Sequence, residues 1–348
     1  MQLGLQLGYW GAAPPEGAAD LVVAAEQAGF DAVFAAESWG SDAFGPLCWW
    51  GSRTERVSLG TSVAQLSART PTACAMHALT LDHLSGGRAV LGLGVSGPQV
   101  VEGWYGAPFS KPLARTREYV SIVRQVLARE APVRNGGPHY PLPYAGEGSV
   151  GLGKSLRPIT HPLRADLPIW LGAEGPKNVA LAGEIADGWL SIYYSPRLAD
   201  DYRTWLAEGM ARPGARRQRS DFTVAASCPV VVTDDPTAEI AGLKQVMSLY
   251  LGGMGAPGQN FHADVFARMG YADAVAEIGS LFREGKRAEA AAAVPDELVE
   301  DTAIIGTADQ VRAGIARWEA SGVDMLIVGC KDIGAIKALA GAVETSAT

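Results

Sequence analysis

Only four of the 348 residues are cysteine, Cys48, Cys74, Cys228 and Cys330, and none stands in a C-x-x-C pair. That scatter excludes a disulfide framework and a thiolate zinc site, both of which need clustered ligands, so no metal is expected. The four read as buried thiols in a reducing cytoplasm. Histidine is also scarce: the five copies lie at 77, 83, 139, 161 and 262 with no G-x-S-x-G elbow, which argues against a His-led nucleophile. Basic residues are outnumbered 29 to 37, giving a net charge of −8, so no face is expected to bind nucleic acid non-specifically. No apolar run approaches the roughly 18 residues of a membrane span, and no membrane partner is expected. The start, Met1 to Trp10, has no basic flank and no small-residue cleavage site, and reads as a first strand. Charged residues make up 19% against 48% hydrophobic, which excludes disorder as the default.

What is present is an alternation of short apolar strands and helices. Strands are expected at Leu3–Gly8, Asp31–Ala36, Val57–Val63 and from Arg88, with a helix from Pro14 to Ala28 stopped by Gly29 and another opened by Pro71 through Leu84. Strands five to eight are expected at Pro168–Gly172, Gly188–Ile192, Phe222–Thr233 and Asp324–Val328. The helices among them are Pro176–Ile185, Ala199–Ala211 and Gln310–Ala320, the last capped at Thr307 and ended by Gly322. Strands that read as continuously apolar, each buried by intervening helices, form parallel sheets. The fold class is therefore α/β, a (β/α)8 TIM barrel over 1–348 as a single domain. Two insertions interrupt it, at about 132–167 and 244–301. The first is rich in Gly and Pro, and a loop of that length is expected to act as a lid or binding loop.

Barrel chemistry sits at the carboxyl ends of the strands. Those ends hold Tyr9 and Trp10, Glu37 to Trp39, Ser62 and Val63, Ser96 and Gly97, Gly172 to Gly175, and Tyr193 and Tyr194. Aromatics, glycine and serine dominate, a lining for a flat apolar ligand. Gly92, Gly94 and Gly97 spell G-x-G-x-x-G after an apolar strand, the dinucleotide fingerprint on paper. That fingerprint opens a helix at once, whereas here Pro98, Gly103 and Gly106 follow and no helical pattern starts before about Lys111. Glu118, at the spacing of a ribose ligand, lies inside a helical stretch. The glycines are better explained by close approach of something flat to the strand end.

Several stretches together resemble the luciferase-like monooxygenase superfamily, and within it the coenzyme F420-dependent oxidoreductases. They are 36–44 (AESWGSDAF), 59–71 (LGTSVAQLSARTP), 84–88 (LSGGR), 92–106 (GLGVSGPQVVEGWYG), 170–177 (WLGAEGPK), 186–189 (ADGW) and 305–311 (IGTADQV). The resemblance implies a deazaflavin, or FMN, at the barrel mouth, with its middle ring supported by a bulge at Ser62 and Val63. It also implies a cis peptide between those two residues, where an unaided reading gives a trans strand end.

It further implies that the cofactor phosphate lies at Gly172, Ala173, Glu174, Gly175, Pro176 and Lys177, a turn whose open N–H groups and helix N-terminus suit an anion. Ser96, Gly97 and Glu37 complete the expected cofactor contacts. Glu37 matches an acidic position near the reactive face, but Ser38 stands where some members carry His. Glu37, or Asp42 through solvent, is thus the expected acid. Tyr9, Trp10, Trp39, Trp104 and Tyr194 are expected to line a pocket for an apolar alcohol, carbonyl or enone. Lys177, Lys154 and Arg157 are expected to meet the acidic tail of F420 if the first insertion covers the mouth. The implied activity is hydride transfer by a cytoplasmic enzyme, a homodimer or higher homo-oligomer, acting on a small molecule. The alternatives are an FMN-dependent monooxygenase and a non-catalytic flavin-binding protein.

Overall fold

A computed structural model describes residues 1–8, 10–253 and 260–344. Tyr9, expected in the substrate pocket, lies outside the described residues, as do Met254 and Gly255 of the second insertion. The first half of the chain runs β1 (Gln2–Gln6), α1 (Ala18–Gln27), β2 (Ala32–Ala35), α2 (Phe44–Gly51), β3 (Ser58–Thr61), β4 (Ala64–Gln65), α3 (Pro71–Leu84), β5 (Ala89–Gly94), α4 (Pro98–Gly103) and α5 (Pro112–Ala128). The second half continues with β6 (Ile169–Gly172), α6 (Pro176–Ile185), β7 (Gly188–Ser191), α7 (Ala199–Met210), β8 (Thr223–Ser227) and β9 (Val230–Val232). Helices α8 (Thr237–Gly252), α9 (Phe261–Phe266), α10 (Ala272–Arg283), α11 (Arg287–Ala292) and α12 (Asp296–Thr302) follow, then β10 (Ile304–Gly306), α13 (Ala308–Ala320), β11 (Met325–Val328) and α14 (Ile333–Glu344). No helix among the described residues is long and apolar enough to cross a membrane.

The strands close a parallel (β/α)8 barrel in the order β1, β2, β3 with β4, β5, β6, β7, β8, β11, and β11 pairs back onto β1. Inside it, Phe34 of β2 and Trp170 of β6 bring their rings to 6.0 Å and fill the lumen with Val90, Leu190, Met325 and Ile327. The barrel is therefore a packed core, and no ligand can enter its lumen. Helix α13 begins at the expected Thr307 cap, and Gln310 completes a full capping box, each side chain bonding the other's backbone N–H.

Three features depart from the sequence reading. Helix α2 was not legible, since its eight residues are apolar with no polar face to set a period. The expected seventh strand divides at Pro229, which has no N–H for the ladder. β8 stays in the barrel, while β9 leaves it to pair with β10, Val230 opposite Ile304. The first insertion does not cover the mouth. Asn135, His139 and Tyr140 are held by Glu118 on α5, Arg164 pairs with Asp82 on α3, and Arg129 and Arg157 bond across to the Pro158 and Glu130 carbonyls. The segment thus lies along the flank of α5 and under the amino ends of the strands.

Position of β3 is fixed from α1. The Glu26 carboxylate accepts N–H bonds from Glu55, Arg56 and Val57 at 2.7–3.2 Å. Burial raises the pKa of Glu26, but these three bonds outweigh it and hold the group below the ordinary glutamate value. A depressed folded pKa stabilises above the unfolded value of about 4.3 and is lost as pH falls through the folded one. Glu26→Gln is accordingly expected to cost about 1 kcal/mol at pH 7, a figure discounted for solvent screening. The two proteins should begin to converge as pH falls past about 4.3 and meet only below the lowered folded-state pKa. Parallel curves in urea from pH 7 to pH 3 would show that the carboxylate charge does not matter.

Candidate active site

Strand three breaks at its end: β3 pairs with β5 through Leu59 and Gly60, the Ser62–Val63 peptide is cis, and β4 resumes pairing through Ala64 opposite Leu93. This is the bulge and the cis bond that the family resemblance implies. The glycines of the false fingerprint now have a physical cause. A Cβ on Gly92 would stand 1.9 Å from the Thr61 carbonyl oxygen, and one on Gly94 would stand 2.4 Å from Val63 Cγ2. They admit the neighbouring strand and the Val63 side chain. Past β5, Ser96 adopts a left-handed φ of 59° and Gly97 caps α4, so a helix opens at Pro98, earlier than the expected Lys111. The nucleotide reading still fails, because β5 is the fourth strand of a closed barrel and Glu118 is engaged with the first insertion.

Glu37, at the end of β2, is 7% exposed, and Arg69 holds both of its oxygens. Oε2 also accepts the Gln65 N–H at 2.9 Å, while the Glu37 carbonyl takes the Gln65 amide at 2.9 Å. Burial opposes the charge on Arg69, yet the hydrogen bond to Glu37 and its charge prevail, and the guanidinium pKa is raised. A carboxylate so engaged braces the Ser62–Gln65 turn from beneath. The other expected acid, Asp42, accepts the Phe44 and Gly45 N–H groups at 2.8 and 2.7 Å and secures the start of α2. Sequence reasoning missed Arg69, although it stands in the quoted 59–71 stretch.

The turn from β6 to α6 carries Gly172, Ala173, Glu174 and Gly175. Gly175 is the N-cap, has no side-chain cap to close the first turn, and a Cβ built on it meets nothing within 4 Å. Pro176 occupies the first helical position and Lys177 is exposed. Helix α9 of the second insertion reaches this turn. His262 Nδ1 lies 2.7 Å from Glu174 Oε1, out of line for a hydrogen bond, and Arg268 donates to the Glu174 carbonyl at 3.1 Å. Phe261 approaches Phe109 of the α4–α5 loop at 6.3 Å between centroids, so the second insertion and that loop face each other beside the mouth.

The expected pocket aromatics divide. Trp39 and Trp104 are 53% and 62% exposed, and Tyr105, beside Trp104, donates to the Ser38 carbonyl, so the two loops meet. Trp10 is half-buried and lines a side cavity with Trp49 and Trp50 between α1 and α2. Tyr194 is not a pocket residue. It is 2% exposed, packed on Trp189, Tyr202 and Trp318, and its hydroxyl donates to the Ser321 carbonyl. Its neighbour Tyr193 turns the other way, edge-on to His262 and against Phe266 of α9. At a strand end the period of two shifts, which is why adjacent tyrosines could not be told apart. Arg157 sits at the opposite end of the barrel, bonded to Glu130, and meets nothing at the mouth.

Fold and mouth together define a (β/α)8 barrel whose candidate site lies at the carboxyl ends of its strands, beside a helix without a side-chain cap and beside a helical insertion. The chain belongs to the luciferase-like monooxygenase family, whose model matches residues 4–325. It is 66% identical over 328 residues, 94% of each chain, to the Mycobacterium tuberculosis protein named "Putative coenzyme F420-dependent oxidoreductase Rv3520c". It is 30% identical to the 5,10-methylenetetrahydromethanopterin reductase of Archaeoglobus fulgidus, over 80% of this chain and 78% of that one. Among solved structures, the coenzyme F420-dependent tetrahydromethanopterin reductase of Methanopyrus kandleri superposes with a TM-score of 0.82 over 99% of both chains at 23% identity.

Proposed function

We propose that the protein is a coenzyme F420-dependent oxidoreductase acting on a small apolar alcohol, carbonyl or enone. The observation that carries this reading is the open turn from Gly172 to Lys177 at the mouth. Its N-cap has no side chain and room to spare, beside the Val63 shelf and in a chain 66% identical to a protein named for that coenzyme. The residues fit the group: the α6 N-terminus suits a phosphate, Val63 suits the face of a flat ring, and Ser96 with Gly97 leaves its edge accessible. The bound deazaflavin would supply a hydride acceptor or donor at its C5.

The chain's own part is to orient and to exclude water. Glu37 and Arg69 fix the turn carrying Ser62 and Val63, Gly175 and Lys177 would hold the phosphate, and Trp39 and Trp104 would offer apolar surface to the substrate. Because Glu37 is held by Arg69, its role is that of a support.

Titration of purified apo-protein with reduced F420 and reduced FMN, followed by fluorescence, tests the reading. A preference of at least tenfold for the deazaflavin is expected, about 1.4 kcal/mol. Lys177 meeting the acidic tail contributes about 0–1 kcal/mol of it, a part that weakens with salt. The remainder falls to ring contacts at the strand ends. Tight FMN binding with oxygen-consuming turnover and no deazaflavin binding would replace this reading with that of a monooxygenase.

A further inference from the structure

We propose that the groove between α5 and α6, on the flank of the barrel, is a second binding site that takes a small organic phosphate. One face of α5, bearing Arg117, Ser121, Arg124 and Ala128, looks across to Ile185 of α6 and to Arg216, enclosing about 630 Å³. That is the size of a ligand pocket. The groove lies at the C-terminal end of α6, whereas the mouth turn is at its N-terminal end.

The charges around it do not balance. Arg117 and Arg212 converge on Glu184, while Arg124, Arg216 and Arg217 converge on Asp187, the latter two reaching Asp166 as well. Five guanidinium groups thus meet three carboxylates, and positive charge stays in excess by one even with Glu130 at the rim counted. Asp187 also accepts the Ile169 N–H at 2.8 Å, so part of this network ties α5 to the barrel. The carboxylates meet that structural need. The surplus is left over.

A second observation is unmet donor capacity and like-charge crowding at the groove wall. Arg124 donates to the Leu167 carbonyl at 2.8 Å and to Asp187, but its Nε is buried without a partner. Burial first, and then the charges of Arg124 and Arg217, push the Arg216 pKa down to about 10. A bound anion would reverse the like-charge part of that shift. Planar guanidinium forks match phosphate oxygens. The walls at Val120, Ala128 and Ile185 are apolar, which favours an organic phosphate over the bare ion.

The test is calorimetric titration of the purified protein with ADP and with inorganic phosphate at constant ionic strength. Saturable binding is expected, tighter for ADP. Ser121 is exposed on α5, and Ser121→Glu, which places a carboxylate in the groove, should weaken ADP at least tenfold. Arg117→Gln, which removes a donor while Glu184 keeps Arg212, should weaken it likewise. Gly175→Val at the mouth should leave ADP binding unchanged, which separates this site from the proposed cofactor turn. No saturable binding at millimolar ADP, binding indifferent to Ser121→Glu, or binding abolished by Gly175→Val would each overturn the proposal. Equal affinity for phosphate and ADP would reduce the groove to an adventitious ion site.

Discussion

Arg69→Met is expected to cost about 3–5 kcal/mol of folding stability, the largest single effect anticipated in this chain. The side chains of Arg69 and Glu37 are 13% and 3% exposed, so removing the cation leaves a buried carboxylate with no counter-charge. Its remaining partner, the Gln65 N–H, cannot replace a bidentate guanidinium. The double variant Arg69→Met with Glu37→Gln should recover much of the loss, because it removes the stranded charge along with the pair. Urea unfolding of the wild type, both single variants and the double variant measures the coupling. A cost below about 1 kcal/mol for Arg69→Met would mean that solvent reaches Glu37 and that the pair does not brace the strand-three turn.

Gly175→Val is expected to lower cofactor affinity tenfold or more, about 1.4 kcal/mol, with stability nearly unchanged. A β-branched residue at a helix N-cap can also crowd the first turn. The structure removes that concern, since the backbone there is extended at φ −94° and ψ 157° and a Cβ meets nothing within 4 Å. A side chain there would enter the open space proposed for the phosphate. Fluorescence titration and a thermal melt on the same sample separate the two effects. Undiminished affinity would move the phosphate away from Gly172 to Lys177, whereas a large drop in melting temperature would make the loss a folding defect.

Much of the barrel was legible because apolar strands and capped helices each carry a local signal. Pro176–Ile185 forms the expected α6, Thr307 caps the helix that ends before Gly322, and the strands appear in the order read from the chain. Long-range partnership was not legible. No local pattern tells that Glu37 will meet Arg69 rather than solvent, since the pair spans 32 residues and forms only when β2 and β3 lie side by side. The same holds for Tyr193 and Tyr194, which share a strand end but part company, one toward α9 and one into the helical shell. The course of the first insertion depends on Glu118 and Asp82, carboxylates that look like ordinary helix-surface residues in sequence.

The parting of β8 and β9 at Pro229 has an architectural result. β9 and β10 run side by side, and the Thr233 N–H bonds the Gly306 carbonyl at 2.8 Å, so the chain leaves and re-enters the barrel at one clasped point. Everything from α8 to α12 is thereby a cassette, closed at its base like a handle on a cup. Its length can change at little entropic cost, since doubling a loop adds only about 0.6 kcal/mol to closing it. The barrel's own ladder takes no part in that change. Yet His262 of α9 and Arg268 just beyond it, both inside the cassette, touch the proposed cofactor turn. Selection can therefore rewrite what the mouth admits by editing a segment that the barrel does not need in order to close.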